Sequence, residues 1–152
     1  MVLIDAIYIH NSGGKTLLNT LIKSLSKIDI NNYFFLLDNR LDKGFVDSLD
    51  IVNLEFIEAS EKTRSFFYKK NHNRFKVFFC FGNVPPPILI NKRVVIYFQN
   101  DLILSSNSTS HSLKAKLLLF LKKQYIFLKN KPSYFWAVQT SLMKNKLSVS
   151  LG

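Results

Sequence analysis

The stretch best suited to holding a ligand is "IYIHNSGGKT", residues 7–16, where a β-like run meets two glycines and then Lys-Thr. A P-loop that wraps a triphosphate needs a glycine, four intervening residues and then Gly-Lys-Ser/Thr. Counting back from Gly14 places Ile9 at the first glycine position, so the P-loop reading fails. What survives is a Gly13-Gly14 turn between a first strand and a first helix. Glycines there let backbone approach a ligand closely, and the helix N-terminus offers free N–H groups to an anion. A tight strand-to-helix turn with no ligand is the competing reading.

Further polar groups fall at the ends of other β-like runs: Gln99, Asn100 and Asp101 after "RVVIYFQ", and Gln139 and Thr140 after "YFWAVQ". Ligands of open parallel sheets sit beyond the carboxyl ends of the strands, so these five join Gly13 and Gly14 as candidate substrate-binding residues. Local roles compete with that assignment. Asn100 and Asp101 suit Asx-turns, and Thr140 or Ser141 suits a helix N-cap. His10, His72 and His111 form no pair with metal-ligand spacing, and no carboxylate pair stands out. No metal site or cofactor is expected, and no catalytic residue can be assigned.

The segment "LKAKLLLFLKKQYIFLKNK" (113–131) carries a different chemistry. On a helical wheel Leu113, Leu117, Phe120, Leu121, Phe127 and Leu128 share one face, with lysines around the remainder. Leu119 and Ile126 then project among Lys116, Lys122 and Lys123. Basic helices with spare apolar side chains bind anionic membrane surfaces, which makes these five the candidate membrane-surface residues. The alternative is a core helix with a solvated lysine face. No nucleic-acid partner is expected, because no recognition motif accompanies the charge.

These groups must be positioned by a chain of 152 residues, enough for one domain with a substantial core. The formal charge of +11 favours anionic partners, although abundant Lys, Asn, Ile and Phe also fit an AT-rich genome. Cys80 is the single cysteine, which excludes an intrachain disulfide. No signal peptide is visible in the opening "VLIDAIYI", and the longest apolar runs fall far short of the roughly 20 residues that cross a bilayer. A cytoplasmic protein, peripheral on the inner face of the plasma membrane, is expected.

Six runs read as strands: 3–9, 33–38, 51–58, 76–82, 93–99 and 134–139. Most are continuously apolar, as in parallel strands covered on both faces. Helices are expected over Leu17 to Ile28, from a Ser60 N-cap, over about 111–129, and from near Thr140. This alternation implies one α/β, Rossmann-like domain with a parallel sheet of about six strands. The ending "KNKLSVSLG" reads as a helix closing on a glycine cap, like a chain cut at an internal turn.

Taken together, "IYIHNSGGKTLLNTLIKSL", "FGNVPP", "VVIYFQND" and "WAVQTSLMKNKL" resemble, in order and spacing, the amino-terminal half of a bacterial retaining glycosyltransferase with two Rossmann-like domains. That GT-B family builds cell-surface polysaccharide such as O-antigen, and the resemblance covers residues 1–152. It implies an acceptor-side domain with Gly13 and Gly14 lining an interdomain cleft and Gln99, Asn100 and Asp101 nearby. It also implies a nucleotide-sugar donor held by a carboxy-terminal domain that this sequence lacks. The acceptor would be a glycan or lipid-linked sugar at the anionic inner membrane, and the domain alone would be inactive. The alternative is a basic, membrane-associated α/β binding module without catalytic activity.

Overall fold

A computed structural model of the chain describes residues 1–42, 44, 51–100, 103 and 113–151. Strands β1 (Val2–Ala6), β2 (Tyr33–Asp38), β3 (Leu54–Ile57), β4 (Val77–Cys80), β5 (Arg93–Phe98) and β6 (Phe135–Val138) form one sheet in the order β3-β2-β1-β4-β5-β6. Every pairing is parallel. Helices α1 (Ser12–Ser26), α2 (Glu61–Asn71), α3 (Leu113–Lys129) and α4 (Ser141–Leu151) connect or follow the strands. The expected Rossmann-like architecture is present, with strands at all six expected runs.

The continuous apolar strands follow from covering both faces of the sheet. Successive residues of a strand point to opposite sides. Phe34 and Leu36 therefore join a core with Leu3, Phe78 and Phe67 and Tyr68 of α2. Phe35 and Leu37 join the opposite core with Ile4, Leu18 and Ile22, the last two from α1. Ser60 caps α2 as its side chain accepts from the Thr63 N–H at 3.2 Å.

β1 stops at Ala6, three residues short of the expected Ile9. The Asp5 carboxylate accepts the Ile7 N–H at 3.3 Å, and Ile9 N–H donates to the Ala6 carbonyl at 3.1 Å. Those two bonds turn the chain out of the sheet, with Tyr8 in the left-handed region at φ 77°. Gly13 and Gly14 consequently lie within the first turn of α1, behind an Asn11 N-cap, rather than in a preceding turn.

The orientation of α3 reverses the wheel reading. Ile126, expected to project outward, is 3% exposed and packs with Val84, Phe98, Met143 and Leu147, and Leu119 packs against the same cluster. Leu117, Leu121 and Leu128 face outward instead, at 59%, 55% and 77% exposure. A helix apolar around nearly its whole circumference does not select its buried side by hydrophobicity alone. Polar tethers make the choice: Tyr125 Oη donates to Glu61 at 2.7 Å, and Lys129 Nζ donates to the Pro87 carbonyl at 2.7 Å.

Candidate functional site

The strand order places a topological switch between β1 and β4. Their onward connections leave in opposite directions, to β2 and to β5, and this opens a crevice at the carboxyl ends of the two strands. A cavity of about 390 Å³ lies there. Its lining includes Gly13, Gly14, Gln99, Asn100 and Gln139, five residues drawn together from three separate segments of the sequence. Tyr8, Asn83 and Lys122 complete much of the remaining wall. Thr140 is not in the lining. Its Oγ1 accepts the Met143 N–H at 3.2 Å, so it caps α4. Asp101 lies outside the described residues, as does His111.

Asn83 organises one side of this cavity. It takes φ 67°, a left-handed conformation that asparagine tolerates better than most residues. Its Oδ1 accepts both the Gln99 N–H at 2.6 Å and the Asn100 N–H at 3.0 Å. Gln99 Nε2 donates to the Phe81 carbonyl at 3.2 Å, and Gln139 Nε2 donates to Tyr97 Oη at 3.0 Å. Gly82 permits the β4–β5 loop to reach the β1–α1 loop, since a Cβ there would collide with the Ile7 carbonyl oxygen. At Gly14 a Cβ would lie 3.2 Å from Ile9 Cδ1, whereas at Gly13 it would meet nothing within 4 Å.

A buried ionic cluster supports the cavity from below. Arg64 Nε donates to Asp5 Oδ2 at 2.9 Å, and Tyr68 Oη donates to the same oxygen at 2.6 Å. Arg64 also donates to the Pro85 carbonyl at 2.8 Å, which anchors the proline-rich loop after β4. Burial alone would lower the Arg64 pKa, but the Asp5 carboxylate outweighs it and holds the guanidinium charged. Burial, then Asp5, pushes the Tyr68 hydroxyl upward, and burial pushes the Cys80 thiol up to about 12. These groups brace the crevice, and burial keeps the Tyr68 hydroxyl and the Cys80 thiol protonated near neutrality.

Lys122, expected on the membrane surface, instead borders the cavity, and burial pushes its ammonium pKa downward. A separate polar group lies beyond the cavity at the end of β2. Arg40 grips Asp38 through two side-chain bonds of 2.9 and 2.6 Å, and His10 Nδ1 lies 3.7 Å from Asp38 Oδ2. Burial raises the Asp38 pKa, but the Arg40 hydrogen bonds and charge overcome it and hold the carboxyl below its ordinary value. Among the described residues no group of three or more His, Cys, Asp or Glu could hold a metal ion.

The described lining of the cavity carries no carboxylate, imidazole or thiol. It offers amides, backbone N–H groups at the start of α1, a tyrosine ring and one ammonium, a set suited to binding a polar anionic ligand. Sequence reading missed Tyr8, Asn83 and the cluster around Arg64. Asp5 was the available signal, as a lone acid inside the apolar run "LIDAI" that must find a partner once buried. No protein family, curated protein or solved structure matches the chain.

Proposed function

We propose that this domain is the acceptor-side half of a GT-B glycosyltransferase. It would act with a donor-binding domain that transfers sugar from a nucleotide-sugar to a glycan or lipid-linked acceptor in surface polysaccharide synthesis. The observation that carries the reading is the gathering of Gly13, Gly14, Gln99, Asn100 and Gln139 around one cavity at the strand switch point. A binding wall without acid or base is what such a half-site requires, because the reacting groups would come from the other domain and the substrates.

The outer face of α3 supports a peripheral membrane position for the complete enzyme. Leu117, Leu121 and Leu128 are exposed there, and Lys114 and Lys116 are exposed on the same helix. No helix among the described residues is long and apolar enough to cross a membrane. The second reading, a non-catalytic basic binding module, is favoured by those exposed leucines and lysines of α3.

The test is to express the chain with and without the DNA that flanks its reading frame. Radiolabel transfer from a panel of nucleotide-sugars into the lipid and glycan fractions is then measured. Transfer that requires the flanking product and falls in a Gln99→Ala, Gln139→Ala variant supports the glycosyltransferase reading. Transfer by the purified 152-residue chain alone overturns the half-site reading, and none in any combination leaves the binding module in its place.

A further inference from the structure

A groove of about 910 Å³ lies between β3 and α2, at the edge of the sheet two strands away from β1. Among the described residues no strand pairs with the outer side of β3. The Asn53 and Ile57 carbonyls accept from the Phe35 and Asn39 N–H groups on the β2 side. By alternation the N–H and C=O groups of Leu54 and Phe56 point away from the sheet, ready to pair with another strand. Phe66 of α2 lines the same groove and is 68% exposed, a large apolar surface beside an open edge.

Charge along this groove is sorted into two strips. Glu55 and Glu58 follow the strand, while Lys62, Lys70 and Arg74 follow the helix and the turn after it. All five are exposed, and none belongs to an ion pair among the described residues. The helix runs back along the strand. Lys62 therefore lies near the carboxyl end of β3, just past the Ser60 cap. Arg74 marks the other end, with its guanidinium 5.2 Å from the ring of Phe34, beside the Phe35–Leu54 pairing.

We infer that β3 is the seam of a two-fold dimer, in which the β3 edges of two copies of this chain pair antiparallel and continue the sheet across both. The reversal carries Glu58 of each copy to the end of the groove where the other copy holds Lys70 and Arg74. It also brings the exposed Phe66 of both copies to the join. A wholly acidic peptide would meet Glu55 and Glu58, and a wholly basic one would meet the three cations. The same surface turned end to end satisfies both strips. Charges that shield an edge do so by repelling a second copy; two strips of opposite sign attract one. Because β3 is separated from β1 by β2, the pairing leaves each strand-switch cavity open and stands independently of the proposed function.

Sedimentation velocity of the full chain tests the dimer at about 0.15 M salt, where screening beyond about 8 Å suppresses the repulsion between two strongly basic chains. Wild type should pass from monomer to dimer as its concentration rises. Glu58→Lys and Lys70→Glu each set like charges face to face and should weaken the dimer about tenfold or more. Phe66→Ser should weaken it too, by removing the apolar contact at the join. An equimolar mixture of the Glu58→Lys and Lys70→Glu chains should recover wild-type affinity, since each copy then supplies the charges that the other lacks. All three positions are exposed, and thermal melts establish that each variant is folded. A chain still monomeric at about 0.2 mM overturns the dimer and leaves the groove to a segment of another protein. A dimer indifferent to both charge reversals overturns the β3 seam and moves the contact to another face, such as the outer leucines of α3. Weakening by each reversal without recovery on mixing overturns the antiparallel arrangement.

Discussion

Arg64 of α2 reaches Asp5 of β1 across the sheet face, with Nη2 2.8 Å from Oδ2 and both side chains 1% exposed. The pair joins an early strand to the helix that follows β3, and through Pro85 it fixes the loop at the cavity. Removing one partner strands the other charge in the core. Arg64→Ala should therefore destabilise the fold by about 3–5 kcal/mol. The double replacement Asp5→Asn, Arg64→Met should recover part of that loss. Urea unfolding followed by circular dichroism measures both, and an Arg64→Ala midpoint equal to wild type would contradict the buried-pair account.

Gly13 and Gly82 should respond oppositely to the same added methyl group. Gly82→Ala forces a Cβ against the Ile7 carbonyl and should cost about 1–3 kcal/mol by overpacking. Gly13→Ala meets open space inside a helix, where alanine is favoured by up to about 1 kcal/mol. Its stability should hold or rise while ligand affinity falls, because the methyl group enters the cavity. Comparing melting temperature with sugar transfer in the presence of the flanking product separates the two effects.

Asp38 makes stability depend on acid. Its folded carboxyl is held below the ordinary value, so the ionised form favours the native state. That contribution is complete above the unfolded value of about 3.9 and disappears as pH falls through the lower folded value. Between about pH 5 and pH 3 the urea midpoint of wild type should fall more steeply than that of Asp38→Asn. Parallel curves would remove Asp38 from the acid limb.

Cys80 should be inert in the folded protein. Its thiol is fully buried and pushed up to about 12, so almost no thiolate exists at pH 8. A chromogenic disulfide reagent should react only as the chain unfolds in urea, with a rate that tracks the unfolded fraction. Rapid labelling in buffer would show that β4 is open.

Membrane affinity should follow the observed outer face of α3. Replacing Leu117, Leu121 and Leu128 with serine, or Lys114 and Lys116 with glutamate, should release the protein from anionic vesicles, each lysine contributing about 1 kcal/mol near the surface. Ile126→Ser should instead unfold the domain, because that side chain is buried. Cosedimentation and thermal melts together decide the assignment.

The strands were legible because parallel strands buried on both faces must be apolar throughout, as in "YFFLLD" at β2. The cavity residues at the strand ends were legible for a related reason, since topology alone brings Gly14 and Gln99 within reach. The facing of α3 was not legible, because the apolar pattern of that helix is nearly uniform and single hydrogen bonds from Tyr125 and Lys129 orient it. Asn83 was equally hidden. Its role depends on a left-handed backbone, a property that the letters "GNVPP" do not specify uniquely.

The strand order also dictates how the domain can assemble. Strands β1 and β2 are joined through α1 and can pair early, but the other edge of β1 must await β4, with Val2 opposite Val77. Until β4 has been synthesised, that edge of Val2, Leu3 and Ile4 stays unpaired and prone to adhere to other nascent chains. The seam that creates the cavity is thus a distant sheet pairing that carries a large loop-closure penalty, and folding should be slow for a chain of this size. A stall in translation before β4 has left the ribosome would leave an aggregation-prone half-sheet, while one after β4 has emerged would leave a chain able to close.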